Sequence, residues 1–327
     1  MYKHPLAFLL YFIDETYRKI NPDLISQEDF NWSAINELAE KNKVIYQFLC
    51  SIKENNPHLL QKFGIHNEDL GEFETKIRLV DKSIDFVVKS LKEAGIDCLL
   101  VKTYKNFPYI TQDIDIFIKE GTFKTVTDIL RQNGARKVKL SLPNRIVFKV
   151  LYQPEEIYTK FEGINIDVYR DLSWIRMPAF EQKFLWFNPR KIEYNGLNFS
   201  IPNFEADLLS LVAHSLFWHG EILLIDFLYL GWLLEKRLDW NLIYAQAESY
   251  GWLRGLKKFL AEIRLLQEKI YDSRGMDIIF PYRLSFSEIL LNYKHFIANS
   301  GNFMVPLVYA QILFQMCILF RERTRDG

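Results

Sequence analysis

Asp113, Asp115 and Asp167 are the residues whose type and spacing carry the most chemistry. Asp113 and Asp115 open the run Asp113-Ile114-Asp115-Ile116-Phe117-Ile118. In a strand, residues i and i+2 share a face, so the two carboxylates project together while Ile114, Ile116 and Ile118 turn into a core. Asp167 sits in a second alternating run, Ile164-Asn165-Ile166-Asp167-Val168-Tyr169. Three carboxylates converging from adjacent strands make a hard, oxygen-rich site. Such a site suits Mg²⁺ or Mn²⁺ and, through the cation, a nucleoside triphosphate. An Asp-x-Asp pair at a strand end is also common without any such role. Burial argues for chemistry here, because unpaired like charges on an apolar strand are costly and a bound cation relieves them.

The elements that position these acids follow from periodicity. Phe30 to Ile52 has apolar residues at helical spacing, and Asn56-Pro57 breaks the pattern. Asp69 to Ala94 predicts a long amphipathic helix that stops at Gly95. The pattern then changes. Ile96 to Val101 predicts a buried strand, Lys102 to Gln112 a loop, Asp113 to Ile118 a strand, and Thr122 to Asn133 a helix closed by Gly134. A hairpin is expected over Lys137 to Leu151, turning at Pro143-Asn144, and a further strand over Ile164 to Tyr169. Asn195-Gly196, inside Glu193 to Ile201, is a strong short-hairpin signal. From Asn203 onward helices return: Glu205 to Trp218, Ile222 to Glu235, Leu242 to Tyr250, Leu253 to Tyr271 and Phe286 to Ala298. The expected organisation is a helical region over 1–94, an α/β core over 95–202 and a helical domain over 203–327.

Composition sets bounds. The 327 residues are 49% hydrophobic and 25% charged, ordinary for a globular protein with room for two cores. Lys plus Arg and Asp plus Glu both number 41, so no global charge draws the chain to nucleic acid, although a local basic groove stays open. Cys50, Cys98 and Cys317 have no paired spacing, which argues against a disulfide framework or a zinc site and fits a reducing, cytoplasmic location. The apolar stretch Leu6 to Ile13 reads as a helix face and not a signal peptide. Met304 to Phe320 is the most apolar segment but is short for a membrane span, which needs about 20 residues. It reads as a buried helix, with a membrane-surface or dimer-forming helix as the alternative, so a homodimer is compatible with the sequence and no transmembrane segment is expected.

Lesser candidates surround the acids. Lys102 ends the strand before the acidic loop and can contact phosphate as a point charge, or be an ordinary strand-end lysine. Lys105, Arg145 and Lys149 are weaker candidates for the same task, and a solvated sheet face explains Arg145 and Lys149 equally well. Thr111 offers a hydroxyl just before the acids. His214 and His219, five apart on a helix, point away from each other and form no paired ligand set. His214 reads as a hydrogen-bonded core histidine, with Asp226 a candidate partner. Trp186 and Trp218 could stack on a base, with core packing the default reading.

These motifs resemble the polymerase-β-like nucleotidyltransferase superfamily, and most nearly its uncharacterised bacterial and archaeal branch. The resemblance rests on Leu99-Leu100-Val101-Lys102-Thr103, Asp113-Ile114-Asp115-Ile116-Phe117 and Ile166-Asp167-Val168-Tyr169. Phe184-Leu185-Trp186, Ile201-Pro202 and Leu208-Leu209-Ser210-Leu211-Val212-Ala213-His214 extend it, over about residues 95 to 235. Thr103 stands where a Gly is usual, Tyr169 where a His is common, and the Gly-Ser pair of many members is missing. The resemblance implies an α+β fold, a mixed sheet with helices, flanked by N- and C-terminal helical regions. It implies a magnesium-dependent, ATP-binding or other nucleotide-binding transferase that moves a nucleoside monophosphate to a hydroxyl or phosphate acceptor of unknown identity. Asp113, Asp115 and Asp167 would be catalytic and metal-binding in a two-metal displacement. Lys102, Thr103, Thr111, Lys105 and Arg145 would bind the nucleotide. Two alternatives stay open: a degenerate fold serving as a nucleotide- or partner-binding module, and a toxin-like enzyme acting on RNA.

Overall fold

In the computed structural model, the described residues are 5–21, 31–139 (apart from 66, 108 and 112), 156–271 (apart from 162, 171, 175, 176 and 220) and 282–283. The expected hairpin at Pro143-Asn144, with Arg145 and Lys149, lies outside them, as do the helix at Phe286 to Ala298, Cys317 and the apolar run Met304 to Phe320. No helix among the described residues is long and apolar enough to cross a membrane.

The chain is α+β. Helices α1 (Pro5–Ile13), α2 (Glu15–Ile20), α3 (Trp32–Lys41), α4 (Ile45–Asn55), α5 (Pro57–Lys62) and α6 (Asn67–Glu93) come first. Strands β1 (Cys98–Val101) and β2 (Asp113–Ile118), helix α7 (Phe123–Gln132), and strands β3 (Arg136–Lys137), β4 (Glu156–Thr159) and β5 (Asn165–Tyr169) follow. They build one five-stranded sheet in the order β1-β2-β5-β4-β3. Only β2 and β5 are parallel; the other neighbours are antiparallel, so the sheet is mixed. A separate hairpin, β6 (Arg190–Tyr194) and β7 (Leu197–Ile201), precedes α8 (Phe204–His214), α9 (Leu224–Leu234), α10 (Trp240–Ser249) and α11 (Leu253–Tyr271).

Alternation along the strands divides the apolar residues into two cores. Ile114, Ile116 and Ile118 are fully buried together with Leu100, Ile166 and Val168. Val80, Ile84, Val87 and Leu91 of α6 cover them with Val126 and Leu130 of α7, at the i, i+3, i+4 spacing of a helix stripe. The opposite sheet face contributes Leu99, Val101, Phe117 and Tyr169 to a larger core shared by α1–α5 and α8–α11. The acids lie on that second face. The sheet therefore turns one side to α6 and α7 and presents its carboxylates on the side of the core shared by α1–α5 and α8–α11.

Local signals explain most boundaries. Gly95 adopts φ 69°, and the Ile96 amide donates to the Leu91 carbonyl at 2.9 Å, a glycine stop for α6. Asn195 and Gly196 both have positive φ, 49° and 75°, the pair that a two-residue type I′ hairpin needs. Two expectations change. The helical stretch Phe30 to Ile52 is broken between α3 and α4, where Lys43 takes φ 59°. Asn42, fully buried there, donates Nδ2 to the Leu38 carbonyl and accepts the Leu224 amide at 3.0 Å. One side chain thus closes α3 and satisfies an orphan donor at the start of α9. The helix expected to run to Trp218 is α-helical only to His214, and Ser215–His219 forms a π-turn.

Candidate active site

The site begins with strand register. In the parallel β2–β5 pair Asp115 stands opposite Asp167, and Asp113 opposite Asn165. Residues in register share a face, so Asp113, Asp115 and Asp167 lie on one side of the sheet at the start of β2 and along β5. Asp115 and Asp167 are buried, at 6% and 8% exposure, while Asp113 is half-buried at the rim.

Each acid is held differently. Thr111 Oγ1 lies 2.7 Å from the Asp113 carbonyl and 3.2 Å from its Oδ1, so the hydroxyl braces the rim acid. The Asp115 amide donates to Thr103 Oγ1 at 2.9 Å, and that hydroxyl donates to the Val101 carbonyl at 3.1 Å. Thr103 is buried and ties the end of β1 to β2. The Asp115 carboxylate meets the Tyr169 hydroxyl, and Lys102 Nζ lies 3.6 Å from its Oδ1. Asp167 feels the Lys102 charge only at a distance, and among the described residues its buried Oδ1 has no hydrogen-bond partner.

Burial dominates the electrostatics. It raises the Asp115 carboxyl; Lys102 opposes the shift and Asp113 adds to it. Asp167 is pushed up to about 8, first by burial and then by the charges of Asp115 and Asp113. Among the described residues, three acids share one ammonium, which leaves the site short of positive charge.

Lys102 reaches Asp115 from a strained turn. Its φ is 59°, and the Thr103 amide donates back to the Val101 carbonyl at 2.7 Å, closing a γ-turn at the end of β1. Its ammonium also lies 4.9 Å from the centre of the Tyr169 ring. Lys105 is engaged elsewhere. Its Nζ is 3.3 Å from Asp226 Oδ1 and sits over the rings of Tyr229 and Tyr109, at 4.5 and 5.4 Å. The structure therefore gathers Lys102, Thr103 and Thr111 around the acids and holds Lys105 against α9. Arg145 is outside the described residues.

A buried polar cluster next to Lys105 escaped the sequence reading. Arg190 Nη2 and the Tyr229 hydroxyl both donate to Asp207 Oδ2 at 2.5 Å, and Arg190 Nε donates to the Pro202 carbonyl. Its available signal was an acid within a run of Ala and Leu at the start of α8, the same kind of signal that singled out Asp226.

Among the described residues, no three His, Cys, Asp or Glu side chains form a ready-made metal cage. By donor type the residues suit a divalent cation: all three groups are hard oxygens, they share one sheet face, and among the described residues a buried carboxylate oxygen lacks a partner. Lys102 holds the position beside Asp115 that such a cation would contest.

The model of a family described as "Uncharacterised nucleotidyltransferase" matches residues 28–266. That span extends on both sides beyond the motifs between 95 and 235. No curated protein and no solved structure matches the chain.

Proposed function

The chain belongs to this uncharacterised nucleotidyltransferase family, and from that premise we propose that it moves a nucleoside monophosphate from a triphosphate to a hydroxyl or phosphate acceptor. Asp113, Asp115 and Asp167 are the groups that would hold Mg²⁺ or Mn²⁺. When bound, two such cations supply charge neutralisation and Lewis-acid stabilisation for an in-line displacement at the α-phosphorus. The observation that carries the reading is the buried Oδ1 of Asp167, without a partner among the described residues, beside Asp115 on the same sheet face.

The chain's own groups divide the work. Thr111 and Thr103 fix the two β2 acids, the first at the Asp113 carboxylate and the second at the Asp115 amide. Asp167 offers Oδ1 to the proton of the acceptor hydroxyl. Lys102, on a flexible stem beside the acids, binds phosphate. Tyr169 orients the Asp115 carboxylate through its hydroxyl. Nucleoside triphosphates and reduced thiols share the cytoplasm, which we take as the location.

A second reading is favoured by the Lys102–Asp115 ion pair: a nucleotide- or partner-binding module whose lysine has replaced the metal. Calorimetry with ATP, GTP, CTP and UTP, each with and without Mg²⁺, separates the two when run beside Asp113→Ala/Asp115→Ala. The enzyme reading expects metal-dependent binding that the double variant loses, and a fall in transfer of about 10³-fold or more. Binding that is indifferent to metal and to both acids would establish the module instead.

A further inference from the structure

Lys102 has the position, the reach and the charge to act as more than a phosphate contact. Among the described residues it is the only cation ion-paired with any of the three acids. Its side chain is 22% exposed, so it can leave Asp115 without unpacking a core. It sits at the centre of a γ-turn, where the backbone is already fixed and only the four-carbon stem need move. The carboxylate it touches lies in register with Asp167, whose Oδ1 has no partner among the described residues.

We infer that Lys102 is a built-in counter-cation of the acid site, one that a divalent metal must displace and a triphosphate then captures, so that metal and nucleotide bind cooperatively. The inference rests on the metal-dependent reading above. A metal at Asp115 and an ammonium 3.6 Å from the same carboxylate repel each other. Metal alone therefore binds against Lys102. Triphosphate oxygens give the released ammonium a new anionic partner, which removes that penalty. Because coupling between two ligands is reciprocal, metal must strengthen triphosphate binding by the same factor. Tyr169 gives the lysine its resting place in the absence of ligands, since the ring face and the carboxylate hold the ammonium together. The same arrangement guards against idle metal loading and ties a complete site to the presence of substrate.

The test uses the full chain and base-independent probes: Mn²⁺ alone, inorganic tripolyphosphate alone, and their preformed complex. Affinities come from calorimetry and from the Mn²⁺ paramagnetic resonance signal. The variants are Lys102→Met, which keeps the apolar stem, and Lys102→Gly, which suits the positive φ and protects against a folding failure in the first. Wild type should show tripolyphosphate tightening Mn²⁺ binding by about 10-fold. In both variants Mn²⁺ alone should bind about 10-fold tighter than in wild type, and the coupling to tripolyphosphate should shrink by about the same factor, leaving the part due to direct metal–phosphate contact. Equal or weaker Mn²⁺ binding in folded variants would overturn the counter-cation role and leave the metal site standing. No Mn²⁺ binding by wild type or variants, with or without tripolyphosphate, would overturn the metal-dependent reading along with it.

Discussion

Replacing Asp167 by Asn should make the metal-free protein more stable, and the gain should grow with pH. Asp167 is buried, its Oδ1 has no partner among the described residues, and its carboxyl is pushed from an ordinary 3.8 up to about 8 by burial and then by Asp115 and Asp113. In the unfolded chain the same group titrates near 3.9. Between about pH 4 and pH 8 the folded protein thus holds a proton that the unfolded chain has released. Stability from this group is fully present below about pH 4 and is lost as pH rises through about 8, at about 1.4 kcal/mol per pH unit at most. Four units would give about 5 kcal/mol. Relaxation and water reaching the group return about half, leaving about 2–3 kcal/mol. Asn cannot ionise, so its variant lacks this slope. Asp115, also raised, tilts both proteins the same way and largely cancels in the difference. The assay is urea unfolding in a chelator across this window. The two proteins should agree near pH 4, and the variant should stand about 2 kcal/mol higher at pH 8. Mn²⁺ at about 100 times its Kd should add about 2.7 kcal/mol to wild type and far less to Asp167→Asn. A difference that does not change with pH, or a variant weaker at pH 8, would refute the reasoning.

Thr103→Val should cost about 1–3 kcal/mol in urea unfolding, because the buried Asp115 amide loses its acceptor. It should also lower transfer activity, as the Asp115 carboxylate loses its fixed backbone. Lys105→Met should destabilise the protein by about 3 kcal/mol by leaving Asp226 without its cation, and Lys105→Met/Asp226→Leu should recover most of that loss in the same assay. If Lys105→Met instead weakens triphosphate binding and leaves stability unchanged, its role is at the nucleotide and not against α9.

Much of this protein is written in short-range pattern. Alternation at Asp113–Ile118 and again around Asp167 assigns carboxylates to one face and isoleucines to the other, because a strand repeats every two residues. Asn195-Gly196 sets its hairpin, and Gly95 ends α6, because both rest on a positive φ that these residues adopt cheaply. The family motifs around the acids were legible for the same reason: each is a run of neighbours. Tertiary structure alone decided which strand lies beside which. That choice put Asp115 opposite Asp167 and left one buried oxygen unpaired. Only the fold sent Lys102 to Asp115 while Asp226, over a hundred residues away in sequence, drew off Lys105. Asn42 broke an apparently continuous helical stretch, and its partner there, the Leu224 amide, is more remote still. Periodicity reports which way a side chain points; the charge or donor it meets is set by packing between distant segments, which no local window contains.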